Sequence, residues 1–431
     1  MVSQEKERNE YKILKLNNLT FIFSPFRGFN TACLGIFLKV GARYEKKKEK
    51  GIAHFLEHIL FKGSENYSYK EIKREIEGRG GMLNGFTSQE TTGYYAQFLN
   101  KNIKITLDIL WDMVTNPLFD EKEIEKERKV ILEEIKMHHD FPATRSMSLL
   151  EKILWKGHPL GEEVLGSASS VERIRRNELI EFKEQHYIPS NMVICCVGDF
   201  EERQLLEMLR EKIEKVEERK EILRCRPPTS LKAADILIER RELDQTHLCV
   251  GFRAPSYRSK ERLTVELLHT ILGANMSSRL FEELRERKAL CYEISTEIRR
   301  YKDSGAFVIH LGVDKGNIVL ALREILKELK KIKEKEVPKK ELERAKDFLL
   351  GQILMSLEKP QGRMFHLSDF YIALGKIYTV KEIKEEINKI NTLRIKMVAN
   401  KIFLPHKICV SCVGKVEETL AEQLKKVILR G

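Results

Sequence analysis

Two histidines and an acid stand within five consecutive residues, His54-Phe55-Leu56-Glu57-His58. On a helix advancing about 100° per residue, His54 and His58 fall within roughly 40° of each other, and Glu57 lies on the adjoining face. Two imidazoles so placed can share one metal ion. Zinc suits them, because a catalytic zinc site commonly has three N or O protein ligands and one position open to water. Glu57 would then act as general base on that water, whose pKa the ion lowers to about 7. Composition alone gives such a set an expected count of at most about 0.04 in a chain of this make-up. Ile52, Leu56, Ile59 and Leu60 form an apolar stripe that would anchor the helix, and Gly63 can end it.

A third ligand has to come from another element. The segment Glu127-Arg128-Lys129-Val130-Ile131-Leu132-Glu133-Glu134 offers acids, with Glu127 and Glu134 on one face two turns apart. Taken alone, acids in such a pattern usually belong to a solvated helix face. An internal repeat makes them more informative. Ile103, Leu107, Leu110, Trp111 and Val114 follow helical spacing, and Ile318, Leu322, Ile325, Leu326 and Leu329 repeat the same steps further on. A second helical segment follows each stripe, opening at 119–125 and at 337–343; Asp120 with Glu123 has the form of a capping box, and Pro338 suits a first turn. Each half then closes on a strand ending Val-Gly, at Val197-Gly198 and Val413-Gly414. Aligned on these helices, the counterparts of Glu127 and Glu134 are Ala345 and Gln352, and those of His54, Glu57 and His58 are approximately Glu266, His269 and Thr270. One half carries a metal set; the other does not.

The elements that must position these groups fit a chain of 431 residues, long enough for two to three domains. Strand-like runs such as 34–40 and 306–311 alternate with helices in both halves. The boundaries expected are 1–215 for an N-terminal domain, 216–232 for a charged, Pro-containing linker, and 233–431 for a C-terminal domain without metal ligands. Hydrophobic residues at 42% exclude a disordered chain. The charge of +12 is spread among both signs, as in Glu45-Lys46-Lys47-Lys48-Glu49-Lys50, so a nucleic-acid partner is not expected. Abundant Lys and Glu also fit a hot environment. No apolar run approaches the roughly 20 residues of a membrane helix, and the charged first residues lack a signal-peptide pattern, so a cytoplasmic protein is expected. The eight cysteines read as free core thiols. Cys409 and Cys412 form a C-x-x-C, but on a strand they would face opposite sides and make a poor metal site.

These motifs resemble the pitrilysin, insulinase and mitochondrial processing peptidase family of zinc metallopeptidases with the inverted motif H-x-x-E-H. The resemblance covers nearly the whole chain. It rests on His54 to His58, on Gly80-Gly81-Met82-Leu83-Asn84-Gly85-Phe86-Thr87-Ser88, on Glu127 to Glu134, on His158-Pro159-Leu160-Gly161, and on Ser277-Ser278-Arg279-Leu280-Phe281 running into Leu284-Arg285 and Tyr292. It implies an α+β fold of two homologous domains, each a mostly antiparallel sheet packed with helices. It also implies one Zn2+ per chain, with Glu134 as third ligand because the family places that acid 76 residues after the second His. Glu127 matches an additional acid that orients a ligand.

Asn84, Gly85, Phe86 and Thr87 match the edge strand on which relatives hold substrate as an added strand. Arg285 and Tyr292 match a pair that binds the substrate carbonyl and stabilises the oxyanion. Gly85 stands where Ala is common, and Ala289 and Cys291 precede Tyr292 where small residues are usual; these departures bear on substrate preference. The implied activity is endopeptidase cleavage of short or unfolded polypeptides in a closed chamber. Larger relatives build that chamber from four domains, so a homodimer is expected here, with Arg285 and Tyr292 acting on the partner's zinc. A non-catalytic peptide-binding or assembly subunit is the alternative. His138 and His139 read as helix-end charges just past the helix of Glu134, and His269 as a half-buried core histidine; none is assigned to the site.

Overall fold

Alternating apolar runs such as Leu19-Thr20-Phe21-Ile22-Phe23 bury both faces of a strand, because each sheet here is covered on two sides. The computed structural model describes residues 3–8, 11–214 and 225–430, with side chains from residue 11 onward. The strands are β1 (Ser3–Arg8), β2 (Tyr11–Leu16), β3 (Leu19–Pro25), β4 (Thr31–Leu38), β5 (Met82–Thr87), β6 (Thr92–Leu99), β7 (Met192–Gly198), β8 (Asp235–Arg240), β9 (Thr246–Arg253), β10 (Cys291–Arg300), β11 (Gly305–Val313) and β12 (Cys409–Gly414).

Unit 1 comprises Met1–Ile135, Glu163–Cys225 and Met355–Ile377. Its seven strands run in the order β1-β2-β3-β7-β4-β6-β5, antiparallel except for the β3–β7 pair. Phe21, Leu34 and Ile36 face one side, in a core with Ile52, Leu56, Leu107 and Leu110 of the helices Ile52–Leu60 and Ile103–Thr115. Ile22, Cys33, Phe37 and Val193 face the other, against Met364, Leu367 and Tyr371 of the helix Pro360–Leu374. β5 closes the sheet with a single partner strand, so its outer edge has no neighbour among the described residues.

Unit 2 comprises Lys136–Glu162, Arg226–Leu354 and Tyr378–Gly431. Its five strands run β10-β11-β9-β12-β8, with β12 and β8 parallel. Leu150, Ile153 and Leu154 of the helix Pro142–Leu154 cover one face through Cys249, Val308 and Cys409. On the other, Phe403 meets Phe252 and Phe307 edge-on. All eight cysteines are free thiols, and Cys409 and Cys412 are both buried in β12.

The two α+β units match the fold class expected, but their composition differs from 1–215 and 233–431. Residues 136–162 join the second unit, and residues 355–377 the first. Helical periodicity states that a face will be buried without stating which sheet will bury it. The two transferred helices occupy equivalent places: both begin with Pro in the first turn, 218 residues apart. Of the expected linker 216–232, residues 216–224 lie outside the described residues, Cys225 belongs to unit 1, and 226–232 belong to unit 2. No helix among the described residues is long and apolar enough to cross a membrane.

Candidate metal centre and active site

The helix Ile52–Leu60 buries the apolar Ile52, Ala53, Phe55, Leu56, Ile59 and Leu60 together with His54, while His58 and Glu57 are half-buried. The rings of His54 and His58 lie 4.6 Å apart between centroids. Glu134 comes from the helix Glu121–Asp140, whose buried Ile124, Ile131 and Ile135 fix its rotation. Glu134 Oε2 lies 3.7 Å from His54 Nε2 and 3.5 Å from His58 Nε2. One donor atom from each residue falls within 4.8 Å of the others. Donors about 2.0–2.2 Å from a single tetrahedral zinc stand roughly 3.3–3.6 Å apart, so two nitrogens and a carboxylate oxygen at these spacings fit that ion. Among the described residues, this is the one His/Cys/Asp/Glu group close enough to hold a metal.

Glu127 lies one helical repeat before Glu134 and is 6% exposed. Its Oε2 is 3.1 Å from His58 Nδ1, and its Oε1 is 2.5 Å from Lys62 Nζ. A carboxylate at Nδ1 keeps the proton on that nitrogen and turns Nε2 toward Glu134. Burial alone would lower the His58 pKa, but the hydrogen bonds to Glu127 and Glu134 outweigh it and raise the group to about 9. Glu127 itself is desolvated, yet His58 and Lys62 hold it below the usual carboxylate range. Lys62 escaped the sequence reading, although it sits one turn after His58 and so on the same face. Glu127→Ala is expected to weaken zinc affinity by about 10–100-fold in a chelator competition, with the fold intact by circular dichroism.

Glu57 is half-buried, and Thr87 at the end of β5 donates its hydroxyl to Glu57 Oε2 at 2.6 Å. Burial pushes the Glu57 carboxyl upward, Thr87 and His58 oppose this, and Glu134 adds to it. The hydroxyl of Thr87 is therefore engaged with the acid, a contact the reading of Thr87 as part of a substrate strand did not include. Gly85 on the same strand also faces Glu57. A methyl group there would stand 2.9 Å from the Phe61 ring and 3.1 Å from Glu57 Oε1. Phe61 thus occupies space that an Ala at this position would need. Asn84 pairs with Tyr95, and Phe86 with Gly93, across the β5–β6 ladder.

In unit 2 the structure brings Arg285 and Tyr292 together. Arg285 lies on the π-helical turn Phe281–Arg287, and Ala289 (φ 48°) reverses the chain into β10. The β10–β11 register shifts between Cys291 and Glu293, a bulge that turns Tyr292 outward, 77% exposed. The guanidinium of Arg285 stands 5.2 Å from the Tyr292 ring centroid. His138 and His139 lie in the last turn of the helix that carries Glu134 rather than beyond it. His269 Nδ1 contacts Thr296 Oγ1 at 2.6 Å, and burial depresses its pKa, as suits a core histidine.

The chain is similar to known proteins in both sequence and fold. Residues 28–168 match a family model described as insulinase (peptidase family M16), and residues 173–349 match one described as the peptidase M16 inactive domain. The second match contains none of His54, Glu57, His58 and Glu134. A protein of Bacillus subtilis named as an uncharacterised zinc protease is 30% identical over 94% of this chain and 96% of its own. One of Rickettsia felis with the same designation is 33% identical over 92% of this chain and 96% of its own. In fold, the chain is similar to a protease from Helicobacter pylori, with a TM-score of 0.88 at 20% identity over 94% of this chain and 99% of that one. A peptidase M16 inactive domain from Pseudomonas fluorescens gives a TM-score of 0.85 at 19% identity, over 96% of this chain and 98% of that one.

Proposed function

Because the chain belongs to the insulinase family, peptidase family M16, we propose that it is a zinc-dependent endopeptidase that hydrolyses short or unfolded peptides. The observation that carries this reading is the convergence of His54, His58 and Glu134 on one point, with Glu57 held beside them by a residue of the open-edged strand β5. His54, His58 and Glu134 would hold one zinc ion per chain. Bound there, zinc supplies a Lewis acid that polarises a carbonyl and acidifies water.

Glu127 holds the His58 proton on Nδ1, so that the proton a bound cation would displace is the one on Nε2, leaving that nitrogen's lone pair for the ion. Glu57 takes a proton from water and later passes it to the leaving amine, and burial, which raises its pKa, favours holding that proton between the two steps. Thr87 fixes Oε2, while Oε1 lies against Gly85 on the strand where substrate adds. A peptide joining the outer edge of β5 bonds mainly through its backbone, which favours extended chains over folded ones. Arg285 and Tyr292 serve as the carbonyl-binding and oxyanion-stabilising pair. Two chains enclose the chamber, each zinc being served by the Arg285 and Tyr292 of the other chain.

A quenched unstructured peptide tests the reading. Zinc-loaded protein is expected to cleave it and to leave a folded protein containing the same sequence intact. Chelation should remove at least about 99% of the activity, and stoichiometric zinc should restore it. Absence of cleavage by fully loaded protein would favour a non-catalytic peptide-binding role.

A further inference from the structure

The zinc-motif helix Ile52–Leu60 begins without a cap of its own. Its N-cap residue, Gly51, is left-handed (φ 92°) and has no side chain to accept from the first turn. The acceptors come from Glu45, six residues upstream. Its Oε2 accepts the Gly51 N–H at 3.0 Å, and its Oε1 accepts the Ala53 N–H at 2.9 Å. Between them, the Ile52 N–H bonds to the Glu49 carbonyl at 3.0 Å. Glu45 is 5% exposed, so water does not compete for these donors.

The other end of the same short segment is tied to the β5–β6 turn. Ala42 N–H bonds to Ser88 O at 3.1 Å, and Arg43 N–H to Gln89 O at 2.9 Å. Gly41 packs so closely there that a methyl group would stand 2.2 Å from Ser88 O. Buried Arg43 pairs with Glu90. Ser88 directly follows Thr87, which holds Glu57. The contacts therefore close a ring: from β5 through Thr87 to Glu57, along the helix to its first turn, through Glu45 to 42–43, and back to 88–89. A second clamp meets the same turn, since methyl groups on Gly51 and Gly166 would each stand 2.6 Å from backbone, at Leu165 O and Lys50 O respectively.

We propose that Glu45 is a positioning residue for the metal centre: its buried carboxylate sets the axial position of the motif helix, and so the placement of Glu57 against β5 and of His54 and His58 against Glu134. The inference rests on the zinc-peptidase reading and adds a residue that touches neither metal nor substrate. A displaced helix carries both histidines with it, so the pair survives; what changes is their spacing to Glu134, which comes from another helix, and the contact of Glu57 with Thr87.

Glu45→Gln tests this, because it keeps the side-chain volume and one acceptor while placing an NH2 group opposite one N–H donor. Thr379→Ala, which removes a capping box from the helix Val380–Asn388 of unit 2, serves as a control for lost helix-cap stability. Zinc affinity is measured by chelator competition without substrate, and kcat and KM on fully zinc-loaded, folded protein. Glu45→Gln is expected to weaken zinc binding about 10-fold and to lower kcat about 10-fold, with KM within about 2-fold. Thr379→Ala should change none of the three. Wild-type zinc affinity and kcat in Glu45→Gln would overturn the positioning role and leave the peptidase reading intact. Failure of the unaltered protein to bind zinc would overturn both.

Discussion

Glu57→Gln is expected to retain zinc and capture peptide while turnover falls by about 10²–10⁴-fold, a barrier increase of about 3–5 kcal/mol. The substitution is isosteric, and its amide carbonyl can still accept the Thr87 hydroxyl that now reaches Glu57 Oε2 at 2.6 Å. The strand, the helix and the three donor residues should therefore keep their places. Only the capacity to take a proton is lost. Metal analysis, peptide binding by fluorescence anisotropy and single-turnover hydrolysis separate these properties. Turnover within about threefold of wild type would remove Glu57 from proton transfer.

The second large effect concerns two chains at once. Arg285→Ala alone should lose most of its activity, because on the proposed mechanism the cation beside Tyr292 would supply charge where an oxyanion develops. Mixed in equal amounts with Glu57→Gln and allowed to exchange subunits, it should recover about a quarter of wild-type activity. Half the dimers are then hybrids, and each hybrid has one site with both an intact Glu57 and an intact Arg285. Sites built from a single chain predict no recovery, so a mixture that contains demonstrated hybrids and stays inactive refutes the shared arrangement.

The histidine pair was legible because it is local: His54 and His58 are four residues apart, and helical geometry alone brings their rings to 4.6 Å. Glu134 was not legible from spacing, since Glu127, Glu133 and Glu134 are all acids on one segment. Family resemblance selected Glu134, and its two imidazole contacts support that choice. Glu45 was hidden by its neighbours. In a run of mixed charge it reads as solvated surface, yet it is buried, because the backbone donors at Gly51 and Ala53 replace water. An acid shortly before a helix whose N-cap is glycine was the available signal. The destinations of the helices Pro142–Leu154 and Pro360–Leu374 depend on long-range packing, which periodicity does not encode.

Those two helices bear on ancestry. Each repeat lends the same piece, opened by the same proline, to the sheet built mainly from the other. A solitary ancestral repeat could cover its sheet in this manner only by trading that piece with a sister molecule. Joining two such sisters end to end, by gene fusion, would yield the reciprocal pattern seen here.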